Sequence, residues 1–348
     1  MERWWVPGKL FSRGNMLKKY EFYIALIVLG LCLVIGSINP AFFTLPNFFD
    51  ILRSSVVMMI FAMGVLMVLV SGGIDISFTA IAAFCMYVTA QFLNNIGYEG
   101  SIALAFLLSA ILGLFLGLIN AVLISTFRLP TLIVTLGTAN MFRGFLLAFI
   151  GTRIVVRLPP GMIDFARWQI FQTTTERGGT VGLSFSVILL LIVVPLVWWL
   201  LNYTMLGRGI FAIGGDRVAA ERAGLNIKVI QFFIYCFVGT LAGVAGIVHS
   251  SLIRNANPFD LVGLELSVIA AVVLGGARIS GGHGTIIGTI LGVFLVVITN
   301  NSLILMGIPS YWQTVAVGAI IVIGTGITAL QGKRERRVGI MIDKKLGT

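Results

Sequence analysis

Charge is what this chain of 348 residues has least of: Asp, Glu, Lys and Arg make up 11% of it, against 58% hydrophobic residues. A soluble domain carries about 25% charged residues, and no soluble fold hides so much apolar surface, because surface outgrows what one core can bury. Disorder is excluded by the same shortage of polar residues, since disordered chains are poor in aromatics and this one has 25 Phe. Histidine is scarcer still. His249 and His283 have no Cys or carboxylate at metal-ligand spacing, so no metal is assigned. Three cysteines, Cys32, Cys85 and Cys236, sit scattered in apolar runs and exclude a disulfide framework. No nucleophile and base form a recognisable local set, so enzyme motifs are absent. With a mean hydropathy of +1.03, the chain reads as an all-α, polytopic membrane protein.

A helix needs roughly 20 apolar residues to cross about 30 Å of hydrocarbon. Runs free of charge are Phe22 to Phe49, Ser54 to Ile74, Ile76 to Tyr98, Gly100 to Phe127, Gly178 to Gly207 and Val229 to Ile253. The run Ile279 to Gly332 is long enough for two helices broken at Pro309. Pro130 to Ile150 carries Arg143 and Val262 to Ala277 carries Glu265, and these complete an expected count of about ten spans. With the N-terminus in the cytoplasm, that count places most lysines and arginines on the cytoplasmic side, as topology demands, and both termini there. The expected organisation is a cytoplasmic segment 1–20, one transmembrane domain 21–331, and a basic cytoplasmic tail 332–348. Within the domain lie an outer loop 151–182 and a long cytoplasmic connection 204–228. The formal net charge of +11 follows from this asymmetry and from anionic lipid. Nucleic-acid binding would need a soluble basic face with interleaved aromatics, and there is none.

Three stretches depart from plain spans. Ser71, Gly72, Gly73, Asp75 and Ser77 place glycines and polar groups at or near membrane depth, where irregular backbone is tolerated only if buried in protein or facing water. A tight turn and a gate or pathway lining are both open readings. Leu274 to Gly284 is rich in glycine, follows a short apolar run, and echoes the first stretch: GGARIS against GGIDIS. The third is 204–228, where Asp216 reads as an N-cap and Gly224 as a C-terminal stop around a short helix. That helix either lies on the inner face or docks a soluble partner. Gly113 with Gly117, and Gly239 with Gly243, form small-xxx-small patterns for close helix packing. The glycine runs lack phosphate-loop spacing.

Five collinear motifs make the chain resemble the membrane subunit of a bacterial ATP-binding-cassette importer, of the branch serving ribose, xylose, related sugars and autoinducer-2. They are GGIDIS after the second run, with Thr79 where a glycine is usual; TLGTANMFRG at Thr135 to Gly144; GRGIFAIGGDRVAAERAGLNI at Gly207 to Ile227, with Asp216 where Asn is common; Gly263 to Gly292; and Asn300 to Gln313. The resemblance implies a second permease copy or paralogue, a periplasmic solute-binding protein and a cytoplasmic ATPase, which would bind ATP and Mg; this chain itself would hold no cofactor. It also implies residence in the bacterial inner membrane. Asp216, Ala219, Ala220, Glu221, Ala223 and Gly224 fall on the helix that couples to the ATPase.

Charged groups at membrane depth are functional candidates because they are costly there. Asp75, Arg143 and Glu265 qualify, the last two as either an intramembrane pair or snorkelling groups, or as lining of the pathway. Asn120, Asn140, Asn300, Asn301 and Gln313 offer neutral hydrogen-bonding groups for a sugar path, though interhelical bonds explain each equally well. An ion-coupled carrier working through Asp75 or Glu265 is the competing function. The long connection 204–228 favours a partner-driven permease, because a self-sufficient carrier has nothing obligatory to dock there.

Overall fold

The computed structural model describes residues 10–174 and 180–309, with isolated positions up to Val322. It is a bundle of helices with one small hairpin. In chain order come α1 (Leu10–Ile38), α2 (Leu45–Val70), α3 (Phe78–Asn95), α4 (Ile102–Phe127), α5 (Thr131–Phe145), α6 (Pro160–Arg167), β1 (Gln169–Thr174), β2 (Thr180–Ser184), α7 (Val187–Tyr203), α8 (Met205–Gly215), α9 (Arg217–Arg222), α10 (Ile227–Ile253), α11 (Leu264–Leu274) and α12 (Ile286–Leu305). The antiparallel β1–β2 pair departs from the all-helical expectation and belongs to the segment read as an outer loop. Its end of the bundle is called the hairpin end below, and the opposite one the junction end.

The centre is α2. Every residue from Met58 to Val70 is buried, so a helix apolar all round sits where its whole surface finds protein. By contrast α1 exposes Phe22, Leu26, Leu29 and Leu33 along its outer side, as a helix facing lipid would. The tightest seam joins α4 to α10. A Cβ on Gly113 would come 2.2 Å from the carbonyl oxygen of Gly239, and one on Gly117 2.4 Å from that of Tyr235. Only glycine permits this approach, and Ser109 uses it to donate to the Gly243 carbonyl at 2.7 Å. The two small-residue motifs of the sequence are therefore one interface.

Six helices among the described residues are long and apolar enough to cross a membrane, or seven if α7 and α8, bent by 72° at Thr204, form one span. The expected ten is thus too regular a picture. The third run yields α3, 18 residues that begin only at Phe78 and carry Thr79, Thr89, Gln91 and two asparagines. The eighth yields α11, only 11 residues, about 16 Å long and half a hydrocarbon thickness. Gly263 at φ +87° starts it and Gly275 ends it. The tenth expected span, Gln313 and the tail 332–348 lie outside the described residues. Helix α1 begins at Leu10, earlier than the charge-free run suggested.

Candidate functional site

Three chain reversals rich in glycine meet at the junction end. They are Gly72 and Gly73 after α2, Gly214 and Gly215 at the close of α8, and Gly281 and Gly282 between α11 and α12. A Cβ on Gly214 would lie 1.8 Å from the Val70 carbonyl oxygen and 2.5 Å from the Gly282 nitrogen; one on Gly281 would lie 2.8 Å from the Cα of Gly72. The Gly282 N–H donates to the Val70 carbonyl at 2.8 Å, satisfying an acceptor that α2 leaves unpaired at its end. Gly72, Gly281 and Gly282 all have positive φ, open to glycine without steric cost. The GGIDIS and GGARIS echo thus marks two loops that lie backbone to backbone, with α8 as the third member.

Asp216 follows that junction directly. Its Oδ1 accepts from the N–H groups of Val218 at 2.9 Å and Ala219 at 3.0 Å, capping α9, and Gly224 at φ +83° ends the turn after it. Helix α9 is anchored from below. Ala220 is only 4% exposed, Glu221 lies 3.6 Å from Arg128, and Arg217 reaches Gln231 at 3.5 Å. Its free side carries Val218 (57% exposed), Ala219, Arg222 and Ala223. Of the residues expected on the coupling helix, Ala220 therefore faces the chain's own body, whereas Val218, absent from that set, is an exposed apolar residue. A cavity of about 220 Å³ lies beneath α9, lined by Arg128, Arg217, Glu221 and Lys228 among others. Because Arg128 and Glu221 are both more than half exposed, Arg128→Gln is expected to cost less than about 1 kcal/mol; an unchanged thermal midpoint checks this. Helix α8 itself was not legible as a helix, its glycines reading as loop; Thr204 caps it by accepting from the Gly207 N–H at 3.0 Å.

From the junction the chain climbs without regular structure through Gly73 to Ser77 before α3 begins. The Ile74 N–H donates to Thr131 Oγ1 at 3.0 Å, and Thr135 Oγ1 donates to the Ile74 carbonyl at 3.3 Å, so α5 supplies the partners a helix would have provided. Asp75 is 2% exposed and forms no ion pair among the described residues. Its Oδ1 accepts from the Ser77 N–H and hydroxyl, both at 2.7 Å. Asn120 Nδ2 donates to Ser77 Oγ at 2.8 Å, and Thr138 Oγ1 donates to Asn120 Oδ1 at 2.7 Å. This buried chain of hydrogen bonds fastens α4 and α5 to the unwound segment. Asp75 and Asn120, proposed separately from sequence, belong to it, while Ser77 and Thr138 complete it.

Arg143 and Glu265 are brought together as a pair. Arg143 Nη2 lies 3.6 Å from Glu265 Oε2, with side chains 23% and 16% exposed. Thr79 joins them: its hydroxyl donates to Glu265 Oε2 at 3.1 Å and accepts from Arg143 Nη2 at 3.1 Å. The Gly263 N–H also donates to Glu265 Oε2, at 3.0 Å. Arg143 lies twelve residues along α5 from Thr131, about 18 Å from the junction end. One turn away on α5, Asn140 is exposed and donates to the Leu136 carbonyl at 3.1 Å. Ser71 closes α2 by donating to Val68. Asn300 is half-buried on α12 and Asn301 donates to Asn47 at 3.4 Å, both apart from this cluster. No group of metal ligands occurs among the described residues.

Almost the whole chain is similar to known permease sequences. The ribose import permease protein RbsC of Escherichia coli K12 is 31% identical over 318 residues, 91% of this chain and 96% of its own length. The Bacillus subtilis protein of the same name is 32% identical over 309 residues, 89% and 92%. The autoinducer 2 import system permease protein LsrC of Yersinia enterocolitica is 30% identical over 308 residues, 88% and 81%. No solved structure matches the chain. Residues 47–324, from the start of α2 past the end of α12, match the family described as branched-chain amino acid transport system / permease component, and the chain belongs to that family.

Proposed function

We propose that this chain is the membrane-spanning permease subunit of an ATP-driven importer that carries a small sugar or sugar-like solute from a periplasmic binding protein to the cytoplasm. The observation that carries this reading is the likeness, along almost the whole chain, to ribose and autoinducer 2 import permeases. The chain sits in the bacterial inner membrane with both termini and the junction end cytoplasmic. The run after Pro309 supplies a tenth crossing, while α3 and α11 are crossings completed by irregular chain. A cytoplasmic ATPase binds ATP and Mg and docks on the free side of α9. Function requires a second permease copy or paralogue. This chain itself catalyses no reaction.

The geometry gives that partner something to push. Displacing α9 displaces Asp216, and Gly214 just before it is in backbone contact with α2 and with the α11–α12 turn. No flexible side chain intervenes to absorb the motion, so a small shift at the surface reaches the central helix as a rigid-body step. The unwound segment and its polar chain continue the same path towards the middle of the membrane.

The test is to solubilise tagged protein from its native host and identify what co-purifies. An ATPase with nucleotide-binding motifs, and uptake in vesicles that needs ATP, are the expected results. Recovery of the chain alone, with uptake driven by an ion gradient, would overturn the reading in favour of an ion-coupled carrier.

A further inference from the structure

We propose that Thr79, Arg143 and Glu265 form a weak, transient binding site for the hydroxyl groups of a neutral polyhydroxylated solute partway through the membrane. This deepens the permease reading and rests on it for its biological use.

The cluster is poorly explained as a simple brace. An ion pair at this depth is costly, and a structural pair would be expected to satisfy its own hydrogen bonds. Here the guanidinium and carboxylate stand 3.6 Å apart at their nearest atoms. Arg143 Nε is buried with no partner. Glu265 Oε2 collects the bonds from Thr79 and Gly263, while Oε1 and Arg143 Nη1 carry none among the described residues. Both side chains remain partly exposed. The site therefore presents an unused anionic acceptor beside an unused cationic donor.

That combination selects by charge. A cation meets the guanidinium and an anion meets the carboxylate, so each is opposed by one member. A hydroxyl both accepts and donates, so one sugar hydroxyl can accept from Arg143 while it, or its neighbour on the ring, donates to Glu265. Asn140, one turn along α5 and exposed, extends the polar strip. The pair is reachable, since the Arg143 and Glu265 side chains are 23% and 16% exposed. Thr79 orients the pair, its hydroxyl held between the two charged groups.

Saturation-transfer NMR suits a weak site. The probes are D-ribose and D-xylose, added to the purified permease in lipid nanodiscs with any ATPase that co-purifies. We expect saturation transfer to either sugar with the wild type, a loss of at least tenfold in Glu265→Gln and in Thr79→Val, and retention in Thr79→Ser. A charge exchange, Arg143→Glu with Glu265→Arg, separates recognition from bracing. It should restore the thermal midpoint that either single change lowers, yet leave sugar binding and ATP-driven uptake at least tenfold down. Absence of transfer in the wild type overturns the site, whether or not uptake requires ATP. Full binding and uptake in the exchanged protein, or in Glu265→Gln, overturns it as well. If wild-type uptake proves independent of ATP while the sugar signal still depends on Glu265, the permease reading falls and the site stands.

Discussion

Gly214→Ala is expected to destabilise the folded permease by about 3 kcal/mol and to abolish uptake, although it adds a single methyl group. The added carbon would sit 1.8 Å from the Val70 carbonyl oxygen and 2.5 Å from the Gly282 nitrogen. Both are backbone atoms, one at the end of α2 and the other in the α11–α12 turn, so neither can rotate away as a side-chain tip would. Overpacking a tight site ordinarily costs about 1 to 3 kcal/mol; this contact is at the severe end because relieving it separates three elements together. It also breaks the 2.8 Å bond from Gly282 to Val70, leaving a carbonyl of α2 unpaired. The control is the next residue. A Cβ on Gly215 meets no atom within 4 Å, so Gly215→Ala should keep the wild-type thermal midpoint and transport. Equal behaviour of the two variants would refute the account of the junction.

The second large effect separates stability from coupling within one six-residue helix. Val218→Asp places a charge on an exposed position of α9, so the thermal midpoint should not move. If the ATPase docks there as proposed, ATP-driven uptake should fall at least tenfold, because the apolar spot on that face is gone. Ala220→Asp does the reverse first: it puts a carboxylate at a site 4% exposed, and an uncompensated buried charge costs about 3 to 5 kcal/mol. Its loss of transport should therefore accompany unfolding of the loop and a lower melting temperature. Measuring ATPase activity and melting for both variants distinguishes the faces. If Ala220→Asp melts normally and Val218→Asp transports normally, the two sides of α9 have been assigned the wrong way round.

Much of the local structure could be read from the residues. Asp216 and Gly224 announced α9, because a capping carboxylate and a residue free to take positive φ are local requirements. The glycine pairs of α4 and α10 announced a close seam, though which helices would share it depended on the fold. Arg143 and Glu265 were each conspicuous as charges in apolar runs, but nothing local shows that residues 122 positions apart meet. Thr79 stood out only as a departure from the family's usual glycine, and its position between the two charges is a tertiary fact. The direction of Ala220 was equally hidden, since six residues are too few for a periodic pattern to reveal a buried side. The shapes of the individual spans were hidden for a different reason. Apolar length measures what can cross, whereas α11 stops at half the distance because Gly263 and Gly275 set its ends and α12 receives it there.

That half-length helix bears on how the protein is made. Eleven residues carrying Glu265 are too short and too polar to leave the insertion machinery as a helix of their own. They gain a stable place only when Gly275 and Ala271 lie against Gly288 and Gly292 of α12, which are synthesised later. The newborn chain is therefore expected to settle this stretch only after α12 has been made. The expected consequence is that α11 enters the membrane as one half of a pair with α12, and the cluster around Glu265 forms only once it has.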